Sequence, residues 1–333
     1  MGERSLVLLF GRRYAAGMRL LLLLLPLVAC ISAAPAPDAT EGHAIVVCGE
    51  RFAIDAPVVL WDEPGGYSAY LEGPHFDADA DPGRRYSPGR KVPDDHPTLP
   101  GEVAERLRKG SASPAELAAF VDLFVLHYDV CGTSELCFRV LQDERHLSVH
   151  FLLDLDGTIY QTLDLADQAW HAAYANPRSV GVEIASIGAW APGDERGEAY
   201  FNEWYLEGNL GTFVTLPERY GDGGQRTGRG IFPAASGGRK RGEVHGQVLE
   251  QYDFTEAQAD SLAALTAALH RALPGIALDV PRDALGEPRW DALDEQEYAA
   301  WGGLLGHYHL GTYKVDPGPA MDWERLLRAA RGR

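Results

Sequence analysis

The sequence predicts an α/β fold, and three observations carry that prediction. Phe124-Val125-Leu126-His127-Tyr128 and Ser179–Ser186 (SVGVEIAS) are short apolar runs rich in β-branched residues, as buried strands are. Between them, Val149–Leu155 (VHFLLDL) and Thr158–Leu163 (TIYQTL) flank Asp156-Gly157. Asp-Gly is a strong hairpin signal, so this stretch reads as strand, turn and strand. Downstream, Leu262, Leu265, Leu269 and Leu273 recur at helical spacing behind Thr255, whose hydroxyl can cap a helix through Leu273. With 333 residues, 46% hydrophobic and 23% charged, the chain has enough apolar material for a sizeable core.

Taken in order, the chain begins with an export signal. Arg12, Arg13 and Arg19 precede Leu20–Leu25 and then Pro26-Leu27-Val28-Ala29-Cys30. The apolar run is about ten residues, half of the roughly 20 that a membrane-spanning helix needs. Met18-Arg19 followed by leucines is already a complete short signal. Leu27-Val28-Ala29-Cys30 has the form of a bacterial lipobox, in which Cys30 is acylated and becomes the mature N-terminus. Ordinary cleavage after Ala33 or Ala34 is the alternative. Residues 1–29 are thus expected to be a lipoprotein signal peptide, and residues 30–42, rich in Ala and Pro, a linker. Ile31 after Cys30 favours the outer membrane, so the expected location is the periplasm, held to a membrane by a lipid anchor. A net charge of -18 argues against nucleic acid as a partner, because binding it needs a basic face.

His43–Cys48 and Ala56–Trp61 are apolar and β-branched, and are expected to pair as a small hairpin. Residues 62–100, rich in Pro, Gly and Asp, read as a long loop. Asp79-Ala80-Asp81 lacks the spaced ligands of a calcium loop and reads as a solvated face. Pro100–Lys109 and Pro114–Leu123 read as short helices, the second capped by Ser113 with Glu116 three residues on. Cys131 and Cys137 are six apart, close enough for a loop disulfide in an oxidising compartment. Cys48 has no assigned partner.

Three stretches carry the chemistry. In the 124–128 strand, alternation puts Phe124, Leu126 and Tyr128 on one face and Val125 and His127 on the other. In the 179–186 strand, Glu183 sits among Val180, Val182, Ile184 and Ala185. A carboxylate buried there unpaired costs several kcal/mol, so it needs a cationic partner, a metal-linked water or a raised pKa. Near the C-terminus, Gly306-His307 is followed nine residues later by Asp316, with Lys314 two residues before it. Imidazole and carboxylate are zinc ligands, and a nearby cation suits a developing negative charge. His309, two residues from His307, is the rival ligand. His171, beside Trp170, reads as a substrate contact, with a loop histidine bonded to backbone as the alternative. His150 fits packing in the sheet, and His245 and His270 fit the surface. Residues 187–248 hold many aromatics and glycines with little periodicity, and are too long for an ordinary connection. Ser134–Arg145 reads as a helix, and Asp322 is placed to cap a last one, Trp323–Ala330.

FVLHYD, LSVHFLLDLDGTIYQTLDLADQAWHA, SVGVEIA, DFTEAQADSLAALTAAL and GHYHLGTYKVDPGPAMDW run in the order found in the type 2 N-acetylmuramoyl-L-alanine amidases, and residues 124–186 and 255–323 resemble that family. Its members are zinc enzymes related to phage lysozyme-type amidases and animal peptidoglycan recognition proteins. The recognition proteins also carry a cysteine pair six apart after the first zinc histidine. The resemblance implies a central mixed β-sheet flanked by α-helices; residues 43–115 lie outside the shared pattern and are expected to be an N-terminal extension packed on the domain. Residues 116–333 would be the zinc amidase domain, with an insertion at about 187–248. It implies Zn2+ on His127, His307 and Asp316, with catalytic Glu183 and Lys314; Trp170 and His171 stay the expected substrate contacts from their own reading. The bond cleaved would be the amide between N-acetylmuramic acid and L-alanine, in peptidoglycan or muropeptides. Two alternatives stay open: a non-catalytic peptidoglycan-binding module on the same fold, and a zinc hydrolase acting on another amide. The bacterial relatives usually step ten residues from the Gly-His histidine to the carboxylate, and here the step is nine, which bears on the conformation of that loop. Val149 stands where phage-type enzymes have a tyrosine, which puts more weight on Glu183.

Overall fold

The computed structural model describes residues 43–333 apart from Pro74, Ala78 and Arg229. The signal, Cys30 and the linker lie outside the described residues. The hairpin expected near residue 43 forms with a different partner. β1 (Ala44–Val47) turns at Cys48-Gly49 and pairs with β2 (Glu50–Ala53). The following apolar run is β3 (Val58–Leu60), which joins the main sheet parallel to a strand about a hundred residues later. All three of its side chains are buried, which is why it seeks the core and not the edge of a small hairpin. The extension is therefore built into the domain. Its β4 (Tyr86–Ser87) also pairs with a later strand, and its Arg90 is buried with its guanidinium donating to the carbonyls of Leu165, Asn176 and Ser179.

Helix α1 (Gly101–Arg108) forms as expected. Helix α2 (Pro114–Leu117) is shorter than expected, because β5 (Leu123–Tyr128) starts where the apolar run begins. Ser113 and Glu116 form the reciprocal cap that their spacing promised. Helix α3 (Ser134–Arg139) runs on as a π-helical stretch to Arg145. β6 (Phe151–Leu153) and β7 (Ile159–Gln161) pair antiparallel across the Asp-Gly turn, followed by β8 (Gln168–Ala169), which pairs with β4, and by β9 (Ser179–Ile184).

The segment expected as an insertion carries regular elements among its described residues. Helix α4 (Glu195–Trp204), capped by Asp194, leads into a three-stranded antiparallel sheet of β10 (Tyr205–Gly208), β11 (Gly211–Thr215) and β12 (Ile231–Pro233). A two-stranded ribbon follows, β13 (Arg239–Val244) with β14 (Gln247–Tyr252). The scattered aromatics have a use: Phe201, Trp204, Tyr205, Phe232 and Tyr252 form a second small core. That core docks where Gly132 leaves room, since a Cβ there would lie 2.4 Å from the Trp204 ring.

Helix α5 (Glu256–Ala272), the short α6 (Glu295–Ala300), β15 (Gly303–Gly306) and α7 (Trp323–Arg331) complete the chain. Thr255 and Gln258 cap α5 reciprocally, and Asp322 caps α7. The six-stranded sheet has the order β15-β5-β9-β6-β7-β3, with β6 and β7 antiparallel and every other neighbouring pair parallel. It is a mixed sheet flanked by helices. Leu262, Leu265 and Leu269 of α5 and Trp323 and Leu327 of α7 pack on Phe124, Leu126, Val180 and Val182. Each such leucine, fully removed from water, contributes about 1.5–3 kcal/mol. No helix among the described residues is long and apolar enough to cross a membrane.

The expected disulfide is not formed. Cys131 and Cys137 come into side-chain hydrogen-bond contact and both remain thiols. Burial, followed by the Cys131 contact, pushes the Cys137 thiol well above its usual range.

Candidate metal centre

β5, β9 and β15 are parallel neighbours that end at one edge of the sheet. In such sheets ligands gather beyond the carboxyl ends of the strands. His127 is the penultimate residue of β5, Glu183 is the penultimate residue of β9, and the two are direct partners in register. His307 follows β15 at once. Because strand side chains alternate, the face that carries His127 is opposite to the one on which Phe124 and Leu126 meet α5.

The loop brings the third group back. Beyond Gly306 the chain winds into a 3-10 turn, His307–Leu310. The Lys314 N–H donates to the Gly311 carbonyl at 3.0 Å, and the Tyr308 N–H donates to the Asp316 carbonyl at 3.1 Å. These two bonds fold the nine-residue step so that Asp316 returns beside His307. The ribbon β13–β14, which runs past the expected insertion to Tyr252, holds the loop from outside. Gln251 Nε2 donates to the Pro317 carbonyl at 3.1 Å, and Gln251 Oε1 accepts from the Ala320 N–H at 3.0 Å. His245 Nε2 donates to the Lys314 carbonyl at 3.0 Å, so it is half-buried and engaged, where the sequence suggested a surface position.

Three atoms converge. His127 Nδ1 lies 3.0 Å from His307 Nδ1 and 3.0 Å from Asp316 Oδ2, and His307 Nδ1 lies 2.9 Å from Asp316 Oδ2. They form the one group of three or more metal-binding side chains found among the described residues. The donor set fits zinc: tetrahedral bonds of 2.0–2.1 Å would space the donors about 3.3 Å apart, within a few tenths of the observed edges. Three protein ligands also leave a fourth position open, as catalytic zinc sites do. Burial, then the neighbouring His307, holds the His127 imidazole down to about 4, which keeps its lone pair free for a cation. Burial alone would push Asp316 up, but the contacts with His127 and His307 outweigh it and hold the carboxyl well below its usual range.

Glu183 stands beside this cluster with its Oε2 buried and without a hydrogen-bond partner. Burial, then the Asp316 and Asp129 charges, pushes its carboxyl well above the usual range, and Lys314 opposes the shift. This is the suspicious carboxylate that the strand pattern marked.

Some of the other expected residues are placed differently. His309 is fully buried and points away from the cluster: its Nδ1 accepts from the Gly306 N–H at 2.9 Å and its Nε2 donates to the Arg289 carbonyl at 3.1 Å. With both nitrogens satisfied it braces the turn and is absent from the metal group. The 3-10 turn is the reason, because it breaks the strand alternation that would have set His309 beside His307. His171 has both ring nitrogens taken, by His127 Nε2 at 3.0 Å and Ser179 Oγ at 3.1 Å, so it meets a metal-ligand histidine where a substrate contact was expected. Trp170 donates its indole N–H to Ser87 Oγ at 2.9 Å and lines a cleft with Lys91, Gln168 and Tyr174. His150 is buried, accepting from the Gly181 N–H and donating to the Asp167 carbonyl. Sequence reasoning missed Gln251, Ser179 and Gly181. An isolated glycine inside an apolar strand was the one available signal of a close approach.

A mixed sheet carrying a His–His–Asp cluster and a partnerless carboxylate at its carboxyl edge has the donor set of the zinc hydrolases. The profile of the N-acetylmuramoyl-L-alanine amidase family matches residues 117–319, and the chain belongs to that family. No curated protein matches the chain. Among solved structures it is similar to a selenomethionine derivative of AmpD, with 18% identity, a TM-score of 0.32, and coverage of 64% of this chain and 86% of that one. It is similar also to the amidase AmiD from E. coli, described in complex with anhydro-N-acetylmuramic acid-L-Ala-D-gamma-Glu-L-Lys. That match has 15% identity, a TM-score of 0.34, and coverage of 63% of this chain and 57% of that one. A third likeness is to the Drosophila peptidoglycan recognition protein PGRP-SA, with 21% identity, a TM-score of 0.19, and coverage of 25% and 56%. At such scores these likenesses carry no weight for the reaction. The family assignment rests on the profile match.

Proposed function

We propose that the protein hydrolyses the amide bond between N-acetylmuramic acid and L-alanine in peptidoglycan or its muropeptides, using zinc held by His127, His307 and Asp316. The observation that carries this reading is the convergence of those three ligand atoms beside Glu183, the register partner of His127. Zinc held there would supply a Lewis acid, able to polarise the scissile carbonyl and to lower the pKa of an attacking water to about 7. Glu183 takes the proton from that water and returns it to the leaving L-alanine nitrogen. Its high proton affinity suits a carboxyl that must hold the proton between the two steps. Lys314 stabilises the charge that develops on the carbonyl oxygen, a role whose loss typically costs about 2.7–4 kcal/mol. The exposed face of Trp170 meets the substrate.

The test is digestion of purified muropeptides with zinc and with a chelator, read by mass spectrometry. Free stem peptide beginning at L-alanine is the expected product, and it disappears with the chelator. Shortened stems still joined to muramic acid would overturn the choice of bond. Binding without any cleavage would favour the non-catalytic module.

A further inference from the structure

We infer that His171 and Ser179 form a buried relay that fixes the orientation and tautomer of the metal-ligand His127, so that His171 is a positioning residue. The inference rests on the zinc reading of the cluster, but not on which amide is cleaved.

The geometry is specific. His127 turns Nδ1 towards His307 and Asp316, so that nitrogen must carry a lone pair to serve a cation. Its hydrogen therefore sits on Nε2, and the acceptor 3.0 Å away is Nδ1 of His171. That places the remaining hydrogen of His171 on its own Nε2, 3.1 Å from Ser179 Oγ. Ser179 opens β9, the strand that also carries Glu183, so the relay ties the ligand to the strand of the base. Metal-ligating imidazoles generally need such a partner on the second nitrogen, which sets the tautomer and raises ligand basicity. Carboxylates and carbonyls are the commoner partners, and here a neutral imidazole does the same work.

The space for it is built in. A Cβ on Gly181 would lie 2.5 Å from His171 Nδ1, so the bare backbone of β9 is what admits the ring against the sheet. The loop is held in turn by Asn176, whose Oδ1 accepts from the His171 N–H at 3.1 Å and the Ala172 N–H at 2.6 Å. Ring and backbone of His171 are thus both anchored, which a residue that only brushes substrate would not require.

The experiment measures zinc affinity of the full-length protein by competition with a chelating indicator, beside the unfolding midpoint of the metal-free protein. His171→Ala should weaken zinc binding by about 10–100-fold, the usual cost of losing such a support. His171→Asn keeps an acceptor near the place of Nδ1 and should recover most of the affinity. Ser179→Ala, which leaves both rings, should give a smaller loss in the same direction and covers the case in which His171→Ala does not fold. Parent-like zinc affinity in folded His171→Ala, with only a raised KM, would return His171 to the substrate and overturn the inference. Equal losses in His171→Ala and His171→Asn would overturn it too. A parent protein that binds zinc but cleaves no muropeptide removes the proposed reaction and leaves this assignment standing.

Discussion

His127 and Glu183 stand on neighbouring strands of one sheet, direct partners across β5 and β9. His307, Lys314 and Asp316 stand on a turn and loop beyond β15. The sheet half needs little outside help, because backbone pairing sets the spacing of the two side chains and alternation sets their face. The loop half has no such ladder. Its shape depends on two backbone bonds of its own and on Gln251 and His245, which reach it from the β13–β14 ribbon. A site assembled in this way has one rigid wall and one adjustable wall, and the two should respond differently to substitution.

The largest expected effect is on the sheet side and is purely chemical. Glu183→Gln should lower kcat by about 10²–10⁴-fold, the usual worth of a general acid–base group, with one zinc still bound. Zinc analysis and steady-state rates on a defined muropeptide check this, and a parent-like rate would remove Glu183 from the reaction. On the loop side, Lys314→Ala should cost about 10²–10³-fold in kcat with KM little changed, as for a lost oxyanion donor. An effect confined to KM would make the lysine a binding group.

Smaller effects would sharpen the comparison itself. Gln251→Ala leaves the Pro317 carbonyl and the Ala320 N–H without their partner, at a cost of about 1–3 kcal/mol for each buried group left unsatisfied. Urea unfolding of the metal-free protein should show that loss, and chelator competition should show weaker zinc binding although Gln251 is not a ligand. If zinc affinity did not change, the β13–β14 ribbon would not be holding the loop wall. His309→Ala should be the mildest for the metal. Stability falls by about 1–3 kcal/mol as the Gly306 N–H loses its partner, while the Arg289 carbonyl keeps the Tyr308 hydroxyl and zinc content stays at the parent value. Loss of zinc in His309→Ala but not in His307→Ala would reverse the assignment of the two histidines.

Much of the site was legible in the sequence. The ligand residue types, the suspicious Glu183, the strand face of His127 and the caps of α2, α5 and α7 all follow from local patterns. Each of these depends on residues within a few positions of one another, where alternation, helical spacing and hydrogen-bond reach act directly.

Other features were decided only by the tertiary structure. β3 left its expected hairpin for the central sheet because three buried apolar side chains find more cover there. His309 lost its claim on the metal because a 3-10 turn, not a strand, carries it past His307. Cys131 and Cys137 met without bonding. The role of the β13–β14 ribbon rests on contacts such as His245 with Lys314, 69 residues apart, and Gln251 with Pro317, 66 apart. No local pattern encodes such pairs, because they form only after the chain has buried its apolar faces and brought distant segments together. The chemistry of the site was written in its residue types, and its geometry was left to the packing.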